Sequence, residues 1–418
     1  MSQAISSAPG EIELTSKTDV ANPDLWESYS YFPIFEKMRA EDPVHYCAES
    51  RYGPYWSITR YEDIMAVDTN HHVYSSEAHL GGIIIDDAIQ NDPDNEFKAV
   101  NFIAMDQPKH DDQRKSVNGI TNPMNLQHFG DIIRKRTADL LDTLPIGEEF
   151  DWVPTVSIEL TTQMLATLFD FPFEDRHKLT RWSDVATAEA DSGVVESQQQ
   201  RIEELMEMAA YFAKLQETRR DKPNNIDLLT MMTHHPATAN MPPEEFLGNL
   251  TLLIVGGNDT TRNSMTGGIY GFSLFPDEFE KMKADQSLID NAVAEIIRWQ
   301  TPLAHMRRTA LEDAVLGGKQ IRKGDKVVMW YASGNRDTTI FEDPDRIIVD
   351  RKNARRHLSF GFGIHRCMGN RLGELQLRIL WEEFFKRFSR AEVTGAPTLT
   401  KSNFVKGYTS LPVKLHAI

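Results

Sequence analysis

Residues 357–374, HLSFGFGIHRCMGNRLGE, set Cys367 among Gly361, Gly363, Gly369 and Gly373 just ahead of a strongly helical run. A thiol so placed has three uses: packing, nucleophilic attack or metal ligation. Zinc takes about four nitrogen or sulfur ligands, and no CxxC or close His-x-x-His accompanies Cys367 to supply them. Nucleophilic work takes a positioned base; His365 is only two residues away, but no nucleophile signature surrounds the cysteine. Haem is different, because the porphyrin brings its own equatorial nitrogens and a single axial thiolate suffices. Flanking glycines would let the backbone turn tightly beneath a flat macrocycle and aim amide N–H groups at the sulfur.

A second cluster lies in PPEEFLGNLTLLIVGGNDTTRNSMTGGIYGFSLFP, which opens on proline and acid suited to a first helical turn and ends at Pro276. Its length predicts a helix of ~45 Å, apolar on every side from Leu250 to Val255. Into its middle fall Gly256, Gly257, Asp259 and Thr260, although each glycine costs ~1 kcal/mol of helix propensity relative to alanine. One reading is that the glycines admit a flat group, the threonine opens the helix locally, and Asp259 and Thr260 pass protons into the gap. The other is a tight helix–helix crossing with Asp259 bonded to a buried partner.

Three charged sets complete the chemistry-bearing residues. Glu295 and Arg298 share one face of an amphipathic helix; exposed, the pair contributes under ~1 kcal/mol, whereas buried it fixes geometry. His110 and Arg114, four apart in HDDQRK, share a helical face that can grip a carboxylate or phosphate, or simply belong to a charged surface helix. Arg307 and Arg308 enter a strand and point to opposite faces, so at least one should face inward.

Together these stretches resemble the cytochrome P450 family of haem-thiolate monooxygenases. Phe360-Gly361-x-Gly363-x-His365-x-Cys367-x-Gly369 is similar to its cysteine loop, Gly256-Gly257-x-Asp259-Thr260 to its oxygen-activating helix, and Glu295-x-x-Arg298 to its buried pair, with Asn335-Arg336-Asp337 and Pro344-Asp345-Arg346 resembling the meander between. The resemblance covers residues 25–418 and implies a mainly α fold with small β-sheets, in which haem b lies between a long central helix and the cysteine loop. It implies that Cys367 is the axial iron ligand, that His110, Arg114, Arg308 and His365 bind the haem propionates, and that Arg346 completes the network of Glu295 and Arg298. Arg308 is preferred to Arg307 by its spacing to Pro302 and to Lys323-Gly324-Asp325, with Arg307 and His305 open as further contacts. Asp259 and Thr260 would deliver protons to O2, the co-substrate.

The elements that must hold these residues are those of an ordinary folded protein. Of 418 residues 40% are apolar and 26% charged, within the globular range. A polar arm, residues 1–24, precedes a single domain. Alternating stretches such as PVHYCAES and YWSITR predict an early sheet, residues 75–104 a long irregular loop, and Pro123 to about Asp285 helices broken at prolines. VLGGKQI and IRKGDKVVMW carry hairpin signals. The N-terminus has neither basic nor apolar signal character and no run of ~18 apolar residues occurs, so a cytoplasmic protein without a transmembrane segment is expected, as suits its two cysteines.

A net charge of −17 argues against nucleic acid as a partner. Around the cysteine the sign reverses: Arg351, Lys352, Arg355, Arg356, Arg366 and Arg371 occur in residues 351–373 with no acid, a patch that would steer an acidic redox protein. Within the family, stretches such as LLIVGGNDTTRNSMTGG and IIRWQTPLAHMRRTA resemble the bacterial alkane-hydroxylating group. That implies terminal (ω) hydroxylation of medium-chain alkanes, alcohols or fatty acids, with electrons from a ferredoxin and an NADH-linked ferredoxin reductase. Ile83, Ile84, Ile85, Leu252, Val255, Gly256, Leu303, Ala304 and Leu411 would line the pocket, all apolar as a small aliphatic substrate requires. Rival readings are a terpene, steroid or aromatic substrate, or a haem protein that only binds a gas, which has no use for Asp259 and Thr260.

Overall fold

Glu244 and Glu245 in the first turn, where the helix dipole favours anions, start a helix from Pro243 to Leu274 whose 32 residues span roughly 48 Å. The structure, a computed structural model, describes residues 12–87, 100–188 and 193–418. The principal helices in chain order are α1 (Tyr31–Glu41), α2 (Tyr61–Asp68), α3 (Lys109–Asn118), α4 (Pro123–Leu141), α5 (Glu159–Leu168), α6 (His177–Thr187), α7 (Gln198–Arg219), α8 (Pro243–Leu274), α9 (Ile289–Gln300) and α10 (Asn370–Phe384). Helix α8 runs through the molecule against α5, α6, α9 and α10. Its N-terminal half buries Leu247, Leu250 and Ile254 with Leu165, Trp182 and Phe212. Its C-terminal half buries Met265, Ile269 and Phe272 with Ile296, Trp381 and Phe384. Neighbours thus cover the apolar stretch on several sides, while Leu252, Leu253 and Val255 face a cavity.

The early strands do form a sheet, of five strands in the order Val44–Cys47, Tyr55–Ile58, Lys326–Met329, Met306–Ala310 and Tyr74–Ser75. Its pairs are antiparallel except Tyr55–Ile58 with Lys326–Met329. Gly317 and Gly318, both at positive φ, turn the hairpin of Ala314–Leu316 with Lys319–Ile321. The Lys323-Gly324-Asp325 turn makes no second hairpin; it carries the chain out of that one and into the five-stranded sheet. Pro154 marks a start rather than a break: it stands in the first turn of a π-helical stretch, Val153–Ile158, that follows the strand Glu149–Asp151 and continues into α5.

Residues 1–11 of the expected arm lie outside the described residues, as do residues 88–99 of the expected loop. The rest of the arm is docked. Val20 and Ala21 are fully buried in the core around Trp26, Tyr55 Oη donates to Asp19 Oδ1 at 2.7 Å, and the Asn22 side chain caps the first helical turn. Among the described residues no helix is long and apolar enough to cross a membrane.

Candidate functional site: a cavity between the cysteine loop and helix α8

The cysteine loop is held by backbone conformations that only glycine adopts without strain. Gly361 and Gly363 have φ of 63° and 67°. A Cβ on Gly363 would lie 2.6 Å from the Asp68 carbonyl oxygen, so the loop packs directly on the end of α2. The Asp68 carboxylate accepts from Phe362 N–H at 2.8 Å and from Tyr331 Oη at 2.9 Å, and the Cys367 N–H closes the loop on the Phe360 carbonyl at 2.8 Å. Cys367 faces a cavity whose opposite wall is α8. Burial pushes its thiol up, while the Gly369 and Asn370 amides and the Arg114 and Arg366 guanidinium groups pull the other way.

On α8 the two glycines divide the two readings between them. A Cβ on Gly256 would meet nothing within 4 Å, so this position leaves open space at the cavity wall. A Cβ on Gly257 would come within 2.8 Å of Leu165 Cδ2, so that glycine serves the crossing with α5. Thr260 lines the cavity and its hydroxyl donates to the Gly256 carbonyl at 3.1 Å, yet the helix stays continuous rather than opening. Asp259 is fully buried and is not on the cavity wall. It pairs with Arg262 at 2.9 Å, Arg262 also holds Asp184 of α6 at 2.7 Å, and Thr187 donates to Asp259 at 3.3 Å. Burial raises the Asp259 carboxyl against the lowering field of Arg262.

At one end of the cavity guanidinium and imidazole side chains collect. Arg114, Arg308 and His365 line it; Arg114 Nη2 donates to the Arg366 carbonyl at 2.5 Å and Arg308 Nη2 holds Asp68 Oδ1 at 2.9 Å. His110 stands behind, its ring edge-on to His365 at 4.3 Å, with Nδ1 on Asp111 and Nε2 without a partner. Neither His365 nitrogen has a partner, and burial with the surrounding cations holds the imidazole far below its usual range, hence neutral. Buried polar atoms left unmatched in this way call for acceptor oxygens at their side, and the two propionates of a haem fit them. Arg307 and His305 point elsewhere. Arg307 is committed to the Gly81 and Leu80 carbonyls and to Asp87, and His305 to the Asn403 carbonyl and the Ile85 N–H.

The buried network is real, but its third member is Arg351. Glu295 receives Arg298 Nε at 2.7 Å and Nη2 at 2.8 Å, Arg351 Nε at 2.9 Å and the Ile348 N–H at 3.0 Å. The expected Arg346 lends only its carbonyl, to Arg298 at 2.9 Å, while its guanidinium pairs at the surface with Asp277. Arg298 also donates to the Asn335 carbonyl, and the Asn335 side chain receives the Leu358 N–H, so the network reaches the start of the cysteine loop. Using Arg351 here takes it out of the basic surface patch. Arg355 pairs with Glu374 and Arg356 lies 3.8 Å from Glu62, which leaves Lys352, Arg366 and Arg371 exposed without a carboxylate partner among the described residues.

Of the expected pocket residues, Ile83, Leu252, Val255, Gly256 and Leu303 line the cavity. Ile84 and Ile85 do not; Ile85 joins the core around Trp26. Ala304 is buried in that same core, its N–H on the Phe404 carbonyl. Leu411 is buried beside the strand Pro412–Ala417 in the core with Trp152. Phe404 and Val405 take the place expected of Leu411, with Val405 bridged to Leu303, and Phe102, Leu228 and Met306 add to the wall. Asp68, which ties Arg308 to the cysteine loop, carries no sequence signal, because its partners lie 240 and 294 residues away.

Comparison with known proteins agrees with this geometry. Residues 159–415 match the protein-family model described as Cytochrome P450. Linalool 8-monooxygenase of Pseudomonas putida is 36% identical over 405 residues, 96% of this chain and 99% of the relative. Among solved structures, Cytochrome P450-153 from Novosphingobium aromaticivorans is 47% identical with a TM-score of 0.90, covering 96% of this chain and 100% of that one. CYP153D17 from Sphingomonas sp. PAMC 26605 is 50% identical with a TM-score of 0.89, covering 95% and 98%.

Proposed function

The chain belongs to the cytochrome P450 family, and from that premise we propose that it hydroxylates the terminal methyl of medium-chain alkanes, alcohols or fatty acids, with electrons from a ferredoxin and its NADH-linked reductase. Haem b, when bound, supplies the iron chemistry by which a monooxygenase inserts one atom of O2 into a C–H bond. In this reading Cys367 would give the iron its thiolate ligand, with the Gly369 and Asn370 amides moderating its basicity. Arg114, Arg308 and His365, backed by His110, would hold the propionates and so seat the haem. Thr260 holds a proton donor at the cavity wall, and Asp259 next to it is the acid behind that hydroxyl. Lys352, Arg366 and Arg371 offer an acidic ferredoxin a cationic face beside the cysteine loop.

The observation that carries the substrate class is the wall beyond Thr260. Leu252, Val255, Ile83, Leu303, Met306 and Phe404 are all apolar, and among the described residues the charged side chains of the cavity are the propionate set with Asp68. The resemblance of stretches such as LLIVGGNDTTRNSMTGG and IIRWQTPLAHMRRTA to the bacterial alkane-hydroxylating group supports a linear chain. The linalool monooxygenase relative favours a second reading, an acyclic terpene alcohol. Titration and competition separate them. A linear alkane or fatty acid is expected to shift the ferric spectrum to the substrate-bound form and to outcompete linalool in turnover with a reconstituted ferredoxin system. Turnover of linalool with no turnover of any linear chain would replace the first reading by the second.

A further inference from the structure

We propose that His71 is an additional haem-propionate ligand, a third imidazole beside His110 and His365. Its position follows from the way α2 ends. Asp68, the last residue of α2, takes Arg308, Phe362 and Tyr331 on its carboxylate. A Cβ on Gly363 would meet the Asp68 carbonyl at 2.6 Å and Thr69 Cα at 3.2 Å, so the chain leaving α2 runs along the cysteine loop two residues before His365. The Asn70 carbonyl then accepts from the N–H groups of Val73 at 3.2 Å and Tyr74 at 3.0 Å. That tight turn fixes His71 next to this contact, with the His72 ring 4.1 Å from it on the solvent side.

Both ring nitrogens of His71 are sealed from solvent and neither has a hydrogen-bond partner. A neutral imidazole carries one donor and one acceptor, so an orphaned ring inside a protein marks a missing partner. The same holds for both nitrogens of His365 and for Nε2 of His110. Each of these three rings can present an N–H donor to the site, and Asp68 already takes three donors. The acceptors that complete the set are the carboxylate oxygens of the propionates that Arg114, Arg308 and His365 would hold. The inference rests on haem binding alone and is independent of the substrate reading.

The test uses the holoenzyme and needs no substrate. His71→Phe, which keeps a ring and removes the donor, is expected to release haem to apomyoglobin about tenfold faster, the loss of roughly one charge-assisted hydrogen bond. It is also expected to shift the propionate-bending band in the resonance Raman spectrum, while thiolate ligation, read from the ferrous carbonyl spectrum, stays intact. His71→Gln, which keeps a donor, restores most of the retention, and His72→Gln changes neither readout. A propionate band unchanged in both His71 variants overturns the proposal, including where His71→Phe is less stable, because a merely structural role lowers stability without moving that band.

Discussion

At Thr260 a hydroxyl stands at the cavity wall, with Asp259 the preceding residue on α8, and the two positions make separable predictions. Thr260→Ala should lower product formation on the order of 10²-fold, the usual worth of a positioned proton donor, while NADH oxidation continues and hydrogen peroxide accumulates. Equal coupling of NADH to product in the variant and the parent would remove Thr260 from the chemistry. Asp259 is turned towards Arg262 and α6, away from the cavity wall, so in the proposed relay it would act without contact with substrate. The motif residues were legible because each cluster is contiguous and its chemistry local: a thiol among glycines, an acid beside an alcohol, an acid three residues before an arginine. Asp68 and Arg351 were not, because their roles arise from contacts between segments far apart in the chain. Arg346 was chosen for a role that Arg351 fills, since the meander folds so that the Arg351 guanidinium, not that of Arg346, points inward.

Elements carry the next set of consequences. Gly363→Ala places a methyl 2.6 Å from a backbone oxygen at a φ of 67°, so it should destabilise the protein by ~2 kcal/mol or more and weaken haem retention. Gly256→Ala meets nothing within 4 Å and gains helix propensity, so thermal stability should hold or rise by up to ~1 kcal/mol while turnover of long chains falls as the wall narrows. Chemical denaturation with activity assays on the two variants checks the contrast; equal stability losses would contradict it. Arg351→Met leaves Glu295 short of a partner in a buried network and should cost ~3 to 5 kcal/mol, whereas Arg346→Met loses a half-exposed surface pair worth under ~1 kcal/mol. Near-equal effects in denaturant melts would return Arg346 to the network. The length and boundaries of α8 were readable from its terminal prolines and acids. Which wall residues face the cavity was less so, because Ala304 and Leu411 are as apolar as Leu303 and only the packing of the strands turns them into the core.

Over the whole molecule, buried histidines set the acid limit of stability. Burial pulls His305 down to about 4 and His357 to about 3, both below the ordinary value of 6.5. As the pH falls from 6.5 towards 4 the unfolded chain therefore takes up protons that the folded protein refuses, and stability drops by about 1.4 kcal/mol per pH unit for each such group. Above pH 6.5 the effect vanishes. Replacing His305 by phenylalanine should flatten the slope of unfolding free energy against pH by about that amount in this window, and an unchanged slope would mean that His305 titrates normally in the fold. The fold class was legible at this scale from helical periodicity and turn signals, whereas the docking of residues 12–22 was hidden because their polar composition reads as an arm. In the proposed function, a haem bound by Cys367 would meet an aliphatic chain presented by its end. The most direct measurement is product regiochemistry across a series of linear alkanes and fatty acids in a reconstituted ferredoxin system. Primary or ω-alcohols as the main products are predicted; exclusively subterminal alcohols, or no oxidation of any linear chain, would contradict it.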